Sequence, residues 1–216
     1  MFIAVFLRRL SVDSIKGIGL RIWCAAVLLG VTIWSDVAYG ADEAKASPVA
    51  KDGVIDLSEW DFEKDGIVEL RGEWRFVWGE FVDVLPSDQL KDSYKGMIQV
   101  PSYWNAQPSY ENPDIMLSEK GYGTYILEIK LSSESIEQVK KFAFTYNHLS
   151  SNAQIWDSEA SMRFTEIDQG IPSEKSSGEV PFWNQQLTSF SLNPQQSSLL
   201  VIIKVSNFNT PWGGFW

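Results

Sequence analysis

One cysteine and one histidine occur in the 216 residues of this chain. With Cys24 alone, no disulfide framework can close within the chain, and no zinc site can be built on several thiolates. With His148 alone, a His-rich metal centre is excluded. A Ser hydrolase role for it needs a serine and an acid brought close by the fold. Positive charge is also scarce: 18 basic residues face 28 acidic ones, for a net charge of −10. That balance argues against a nucleic-acid partner, which calls for a basic face. The catalytic signatures GxSxG, HExxH, GxGxxG and the phosphate loop are missing. The nearest string, Gly121 to Tyr125 (GYGTY), lacks a third glycine and a following helix. Glu59, Asp61, Glu63 and Asp65 alternate and would hold a cation only if they converged; they read as a solvated face. No repeat with a period of 20 to 50 residues is visible. These absences point away from an enzyme confined to this chain, and no cofactor is expected.

What the chain does hold is apolar and aromatic. Hydrophobic residues make up 44% and aromatics 13%, with ten tryptophans, enough for a substantial core. The first forty residues differ from the rest. Arg8, Arg9, Lys16 and Arg21 precede an uncharged 13-residue run, Ile22 to Trp34. Small residues, Ala38 and Gly40, then stand before Ala41. Basic start, short apolar run and small-residue exit describe a secretory signal peptide. As a helix the run would rise about 20 Å, short of the roughly 30 Å hydrocarbon layer; an uncleaved anchor is the other reading. Removing residues 1–40 takes away four basic and two acidic residues, leaving 14 and 26 and a net of −12. Residues 41–52 read as a flexible leader and 53–216 as one domain, exported to a bacterial periplasm.

From Gly53 onward the hydrophobic period is mostly two. Strands are predicted at Val54 to Leu57, Ile67 to Leu70, Gly72 to Trp78, Met97 to Val100, Tyr125 to Leu131 and Phe142 to Tyr146. Others follow at Ala153 to Trp156, Arg163 to Ile167, Phe190 to Leu192 and Leu199 to Val205. The last is apolar on both alternating faces and reads as a strand buried on both sides. Short helical turns are predicted at Pro86 to Asp92, where Ser87 is a cap, and at Ser133 to Lys141. Short strands separated by Gly, Pro, Asn, Asp and Ser predict an all-β antiparallel sandwich of jelly-roll type.

Four strings remain: RGEWRFVWGEFV (71–82), VPSYWN (100–105), GYGTYILEIKL (121–131) and VSNFNTPWGGFW (205–216). In this order they resemble the extracellular sensor domain of bacterial seven-transmembrane receptors with diverse intracellular signalling modules. That domain is similar to the sugar-binding jelly roll of glycoside hydrolase family 2, a galactose-binding-domain-like fold. The resemblance covers about residues 53–216. It implies a periplasmic ligand-sensing module that binds a carbohydrate or other small polar ligand without turnover. It also implies downstream membrane helices as partners, with the domain cut near Trp216. The alternative is the N-terminal sugar-binding domain of a hydrolase whose catalytic part lies elsewhere. Galactose-binding-like folds can hold a structural calcium ion, which nothing in this sequence indicates.

Candidate ligand residues follow from side-chain type and position. Trp104 and Asn105 pair an aromatic face with an amide, the equipment for a sugar ring, or else they cap the sandwich edge. Tyr122 and Thr124 lie among glycines that signal a close backbone approach or a turn. Asn207 and Asn209 flank Phe208 at a strand exit, where amides bond a ligand or tie down a loop. His148 reads as an edge or loop residue, with contact to a ligand as the other reading. Trp74, Phe76 and Trp78, alternating on one strand, are predicted as core. Trp212, Phe215 and Trp216 are expected to be partly unpaired.

Overall fold

The structure is a computed structural model, and it describes residues 45–82, 96–138, 142–146, 150–182, 186–192 and 195–215. The predicted signal segment 1–40, the helical turn at Pro86 to Asp92 and His148 all lie outside the described residues.

The described chain is an all-β sandwich, as the period-two pattern requires. Its main layer is a seven-stranded sheet. Six strands run in the order β3 (Gly96–Val100), β2 (Gly72–Trp78), β5 (Gly121–Lys130), β10 (Ser198–Asn207), β7 (Ser151–Asp157) and β8 (Arg163–Gln169). The seventh, β1 (Val54–Asp56), runs parallel to β5 through Val54↔Glu128 to Asp56↔Lys130. β2 is antiparallel to β5 from Arg75↔Ile126 to Trp78↔Gly123. The two therefore share one edge of β5, end to end. β10 pairs along the full length of β5, from Ser198↔Lys130 to Asn207↔Gly121. Placing β10 between β5 and β7 is a crossover of the Greek-key kind.

Two small ribbons complete the sandwich. β4 (Ser102–Tyr103) pairs with β11 (Gly214–Phe215), and β6 (Phe142–Tyr146) pairs with β9 (Gln186–Phe190). One short helix, α1 (Ser133–Gln138), follows β5, close to the predicted turn.

Alternation assigns the faces. Tyr125, Leu127 and Ile129 of β5 point inward with Val201, Ile203 and Val205 of β10. They meet Trp74 and Phe76 of β2, Ile98 of β3, Ala153 and Ile155 of β7 and Ile167 of β8 in one core cluster. Rings dominate one end of it. Phe76 lies 4.6 Å from Tyr125 and 6.2 Å from Trp78, centroid to centroid. The outward residues Ile126, Leu200 and Ile202 form a second, small cluster packed by Trp156. β10 is thus buried on both faces, as its continuous apolar run requires.

Several boundaries differ from the sequence reading. The packed domain starts before Gly53: Ala50 is buried, and its N–H donates to the Arg71 carbonyl (2.7 Å) while its own carbonyl accepts from the Glu73 N–H (2.9 Å). Ile67 to Leu70 is not a strand. Val68 and Leu70 turn into the core and Ile67 out, so the alternation is real, but no regular ladder forms. β9 ends at Phe190 rather than starting there. The glycines of GYGTY lie inside β5, not in a turn before it. A Cβ on Gly123 would sit 2.8 Å from the Val77 carbonyl oxygen and 2.9 Å from the Phe76 ring, so the close approach is to the neighbouring strand.

Candidate functional site

The site begins with a reversal between neighbours. Across β4 successive side chains point opposite ways. Trp104 follows β4 into a single 3-10 turn (Trp104–Ala106) and points inward. It is fully enclosed, at 0% exposure, with its ring edge-on to Trp78 at 4.9 Å. Its indole N–H donates to the Glu119 carbonyl (3.3 Å). Gly213 lies directly on the ring: an added Cβ there would overlap the indole nitrogen. A ring with no free face cannot stack on a ligand, so the stacking role expected of Trp104 is replaced by a core role.

Tyr103 takes the opposite direction. It is 37% exposed and stacks on Trp212, itself 56% exposed, with centroids 6.4 Å apart and planes 28° from parallel. The two rings come from segments that β4 and β11 hold together through Gly214↔Tyr103 and Phe215↔Ser102. The segment is therefore paired into the fold as far as β11, and Trp212 is exposed. Trp216 lies outside the described residues. Sequence reasoning missed Tyr103, although alternation carried the signal: placing Trp104 inside sends Tyr103 outside.

Three asparagines fix the Trp212 loop. Asn105 donates from Nδ2 to the Pro211 carbonyl (3.4 Å) and accepts at Oδ1 from the Gly213 N–H (3.3 Å). Asn207, buried, donates to the carbonyls of Glu119 (2.9 Å) and Thr210 (2.8 Å). Its Oδ1 accepts from the Thr210 N–H (3.2 Å) and hydroxyl (2.8 Å). Asn209 donates to the Glu179 carboxylate. Glu179 is itself buried and also accepts from the Ser206 hydroxyl (2.7 Å) and the Phe208 N–H (3.0 Å). The amides of Asn105, Asn207 and Asn209 thus tie down a loop, the second of the two readings open at the sequence level. They hold the loop that carries Trp212.

The other sequence candidates lie elsewhere. Tyr122 and Thr124 sit on the outward face of β5. Tyr122 packs on Phe81 at 5.0 Å. Thr124 is fully buried; its hydroxyl donates to the Glu80 carbonyl (2.8 Å) and accepts from the Val82 N–H (3.0 Å), clipping the chain that leaves β2. The structure therefore brings Asn105, Asn207 and Asn209 together and leaves Tyr122 and Thr124 on the opposite face, while His148 lies outside the described residues.

The carboxylates with displaced pKa values lie at strand ends, Asp56 and Asp157, and in a turn, Asp61. The Ser58 hydroxyl and N–H hold Asp56 below the usual carboxylate range. The Lys64 ammonium does the same for Asp61, with the Glu63 and Lys64 amides assisting. At Asp157 burial pushes the pKa up. The Ser161 hydroxyl and the N–H groups of Met162 and Ser161 overcome that and leave it lowered. Asp56 and Asp157 lie at the end of the sheet remote from Trp212, next to Lys130 and Leu199. Among the described residues no group of three or more His, Cys, Asp or Glu side chains is placed to hold a metal ion. Of the alternating acids, Asp61 and Asp65 make local turn ties instead, accepting from the Glu63 and Lys64 N–H groups and from the Asp61 N–H. Among the same residues no helix is long and apolar enough to cross a membrane.

No family model matches the chain, and no curated protein matches it. Among solved structures, the β-glucuronidase of Ruminococcus gnavus aligns over 64% of this chain and 21% of its own, at 19% identity and a TM-score of 0.35. Its complex with D-glucuronic acid aligns over the same shares at 19% identity and a TM-score of 0.36. The complex with uronic isofagomine gives 18% identity, 64% and 20% coverage and a TM-score of 0.34. The chain thus spans about a fifth of the length of these structures. Similarity at this level transfers no activity.

Proposed function

We propose that this chain is a non-catalytic recognition module, the periplasmic ligand-sensing part of a membrane-bound receptor, and that it binds a carbohydrate or another small polar ligand without turnover. The observation that carries the reading is the Tyr103–Trp212 pair. Two large rings are stacked in the open, Tyr103 on β4 and Trp212 on a loop that three amides and a buried carboxylate hold in position. An exposed apolar face that is already ordered costs little to occupy, because its conformational entropy was lost on folding. Flat aromatic faces accept the C–H side of a sugar ring, while its hydroxyls bond to polar groups and water nearby. The composition of residues 1–40 supports export, and the order of the four strings supports a tether to membrane helices.

A thermal-shift screen of the full chain against sugars, carboxylates and nucleotides tests this reading. A ligand from the sugar or small polar class is expected to raise the melting temperature, and Trp212→Ala is expected to abolish the rise. A screen with no stabilising ligand, or one in which no ligand's stabilisation depends on Trp212, would sink the proposal.

A further inference from the structure

The outward face of β7 and β8 carries a polar strip of a different kind. Asn152, Gln154 and Trp156 project from β7 on the side away from the core, because Ala153 and Ile155 between them point in. Across the pair, Asp168 stands opposite Asn152, Glu166 opposite Gln154 and Arg163 opposite Trp156, past a register shift at Ile155/Trp156.

These six side chains form one network. Trp156 Nε1 donates to Gln154 Oε1 (3.0 Å). Gln154 Nε2 donates to Asn152 Oδ1 and to Glu166 Oε1, both at 2.9 Å. Asn152 Nδ2 donates to Glu166 Oε1 (2.7 Å) and Asp168 Oδ1 (2.6 Å). Arg163 pairs with Glu166 Oε2 (2.6 Å), and its guanidinium lies 5.6 Å from the Trp156 ring centre.

Counting donors and acceptors defines what is left over. Both amide NH₂ groups and the indole N–H are fully used within the network. The unused capacity of the β7 side chains and Asp168 is acceptor only: Asp168 Oδ2 and the second lone pairs of Asn152 Oδ1 and Gln154 Oε1. Arg163 retains most of its five N–H donors. The strip therefore presents donors at one end and acceptors along the rest. A hydroxyl group both donates and accepts, so a chain of hydroxyls complements both parts, whereas an anion would face the acceptors and a simple cation the guanidinium. The four residue steps from Asn152 to Trp156 give the strip a length of about 13 Å at roughly 3.3 Å per residue, room for more than one sugar ring. The side chains are already ordered by each other and by the packing of Trp156 on Leu200, Ile202 and Ile126, so binding pays little further side-chain entropy.

We infer that the β7–β8 face is a second binding site, separate from the Tyr103–Trp212 pair, and that it takes a neutral oligosaccharide. Titration of the full chain with cellotetraose, maltotetraose and mannotetraose, followed by NMR of the side-chain amides and indoles, tests it. At least one of the three is expected to shift the Trp156 indole N–H and the Asn152 and Gln154 carboxamide signals saturably. Asp168→Asn, which keeps shape and replaces an acceptor by a donor, is expected to weaken that binding about tenfold, a change of roughly 1.4 kcal/mol. Trp212→Ala is expected to leave it unchanged, which separates this site from the one proposed above. Failure of all three sugars to move those signals at millimolar concentration would overturn the inference. So would equal affinity in Asp168→Asn, or loss of the shifts in Trp212→Ala.

Discussion

The two faces of the seven-stranded sheet are built from the same strands and opposed in chemistry. On the inner face Trp74, Phe76, Tyr125 and Trp104 interlock, and the polar groups that approach them are backbone carbonyls or amides tied to loops. On the outer face Ile126, Leu200 and Ile202 are the buried apolar cluster, and next to it lies a network of amides, carboxylates and one guanidinium. The contrast separates two uses of an aromatic residue. Trp104 is enclosed and supplies stability; Trp212 and Trp156 sit at surfaces and are the rings proposed to meet a ligand. Four measurements would break or sharpen that contrast.

The largest effect is expected at Trp104. Trp104→Ala removes a ring enclosed by Trp78, Phe76 and Gly213 and should cost about 3–5 kcal/mol of unfolding free energy, read from urea denaturation with an unchanged slope. A cost near that of a surface substitution would place Trp104 outside the core.

Glu179→Gln comes next. The carboxylate accepts from Ser206, Phe208 and Asn209, and the variant turns one acceptor oxygen into a donor facing those donors. About 1–3 kcal/mol should be lost. Hydrogen exchange at Phe208 should accelerate if the loop is held as described.

Asp157 gives a smaller, pH-dependent effect. Its folded pKa is lowered, so the carboxylate stabilises the fold above its unfolded pKa near 4, and that stability is lost as pH falls through the folded value. Asp157→Asn should cost on the order of 1 kcal/mol at neutral pH, and the difference from the parent should vanish in acid. A gap that stays constant down to pH 2 would show that the Ser161 and Met162 bonds do not depend on the charge.

Trp212→Ala should change stability least, by about 0.5 kcal/mol or less, while weakening a bound sugar or small polar ligand about tenfold or more. Large destabilisation with unchanged binding would reverse the assigned roles of Trp104 and Trp212.

Much of the fold was legible because it rests on local alternation. Trp74 and Phe76 fell on the core face of β2 as their spacing required. β5 and β10 were located from their apolar runs, although β5 begins at Gly121, four residues before the apolar pattern starts. Regular pairing needs no side-chain signal at a glycine, so at Gly121 and Gly123 a close backbone approach and a turn looked alike in sequence. The site was less legible, because its deciding contacts are remote in sequence. Asn105 meets Gly213, and Asn207 meets the Glu119 carbonyl, across separations of 108 and 88 residues. An asparagine in a loop has the same appearance in sequence whether it binds a ligand or a distant backbone. The choice between Tyr103 and Trp104 was readable in principle, yet the larger ring suggested the binding role when its size suited it for burial. The β7–β8 strip escaped notice because Asn152, Gln154, Glu166 and Asp168 look like ordinary solvated positions until register pairs them.

The most direct test follows which tryptophan a ligand covers. Acrylamide quenching of intrinsic fluorescence, with and without a stabilising sugar or small polar ligand, should show one accessible tryptophan population becoming protected. The same protection should be missing from Trp212→Phe, which retains a ring but not the indole signal. Protection that persists in full in Trp212→Phe would contradict recognition at the Tyr103–Trp212 pair.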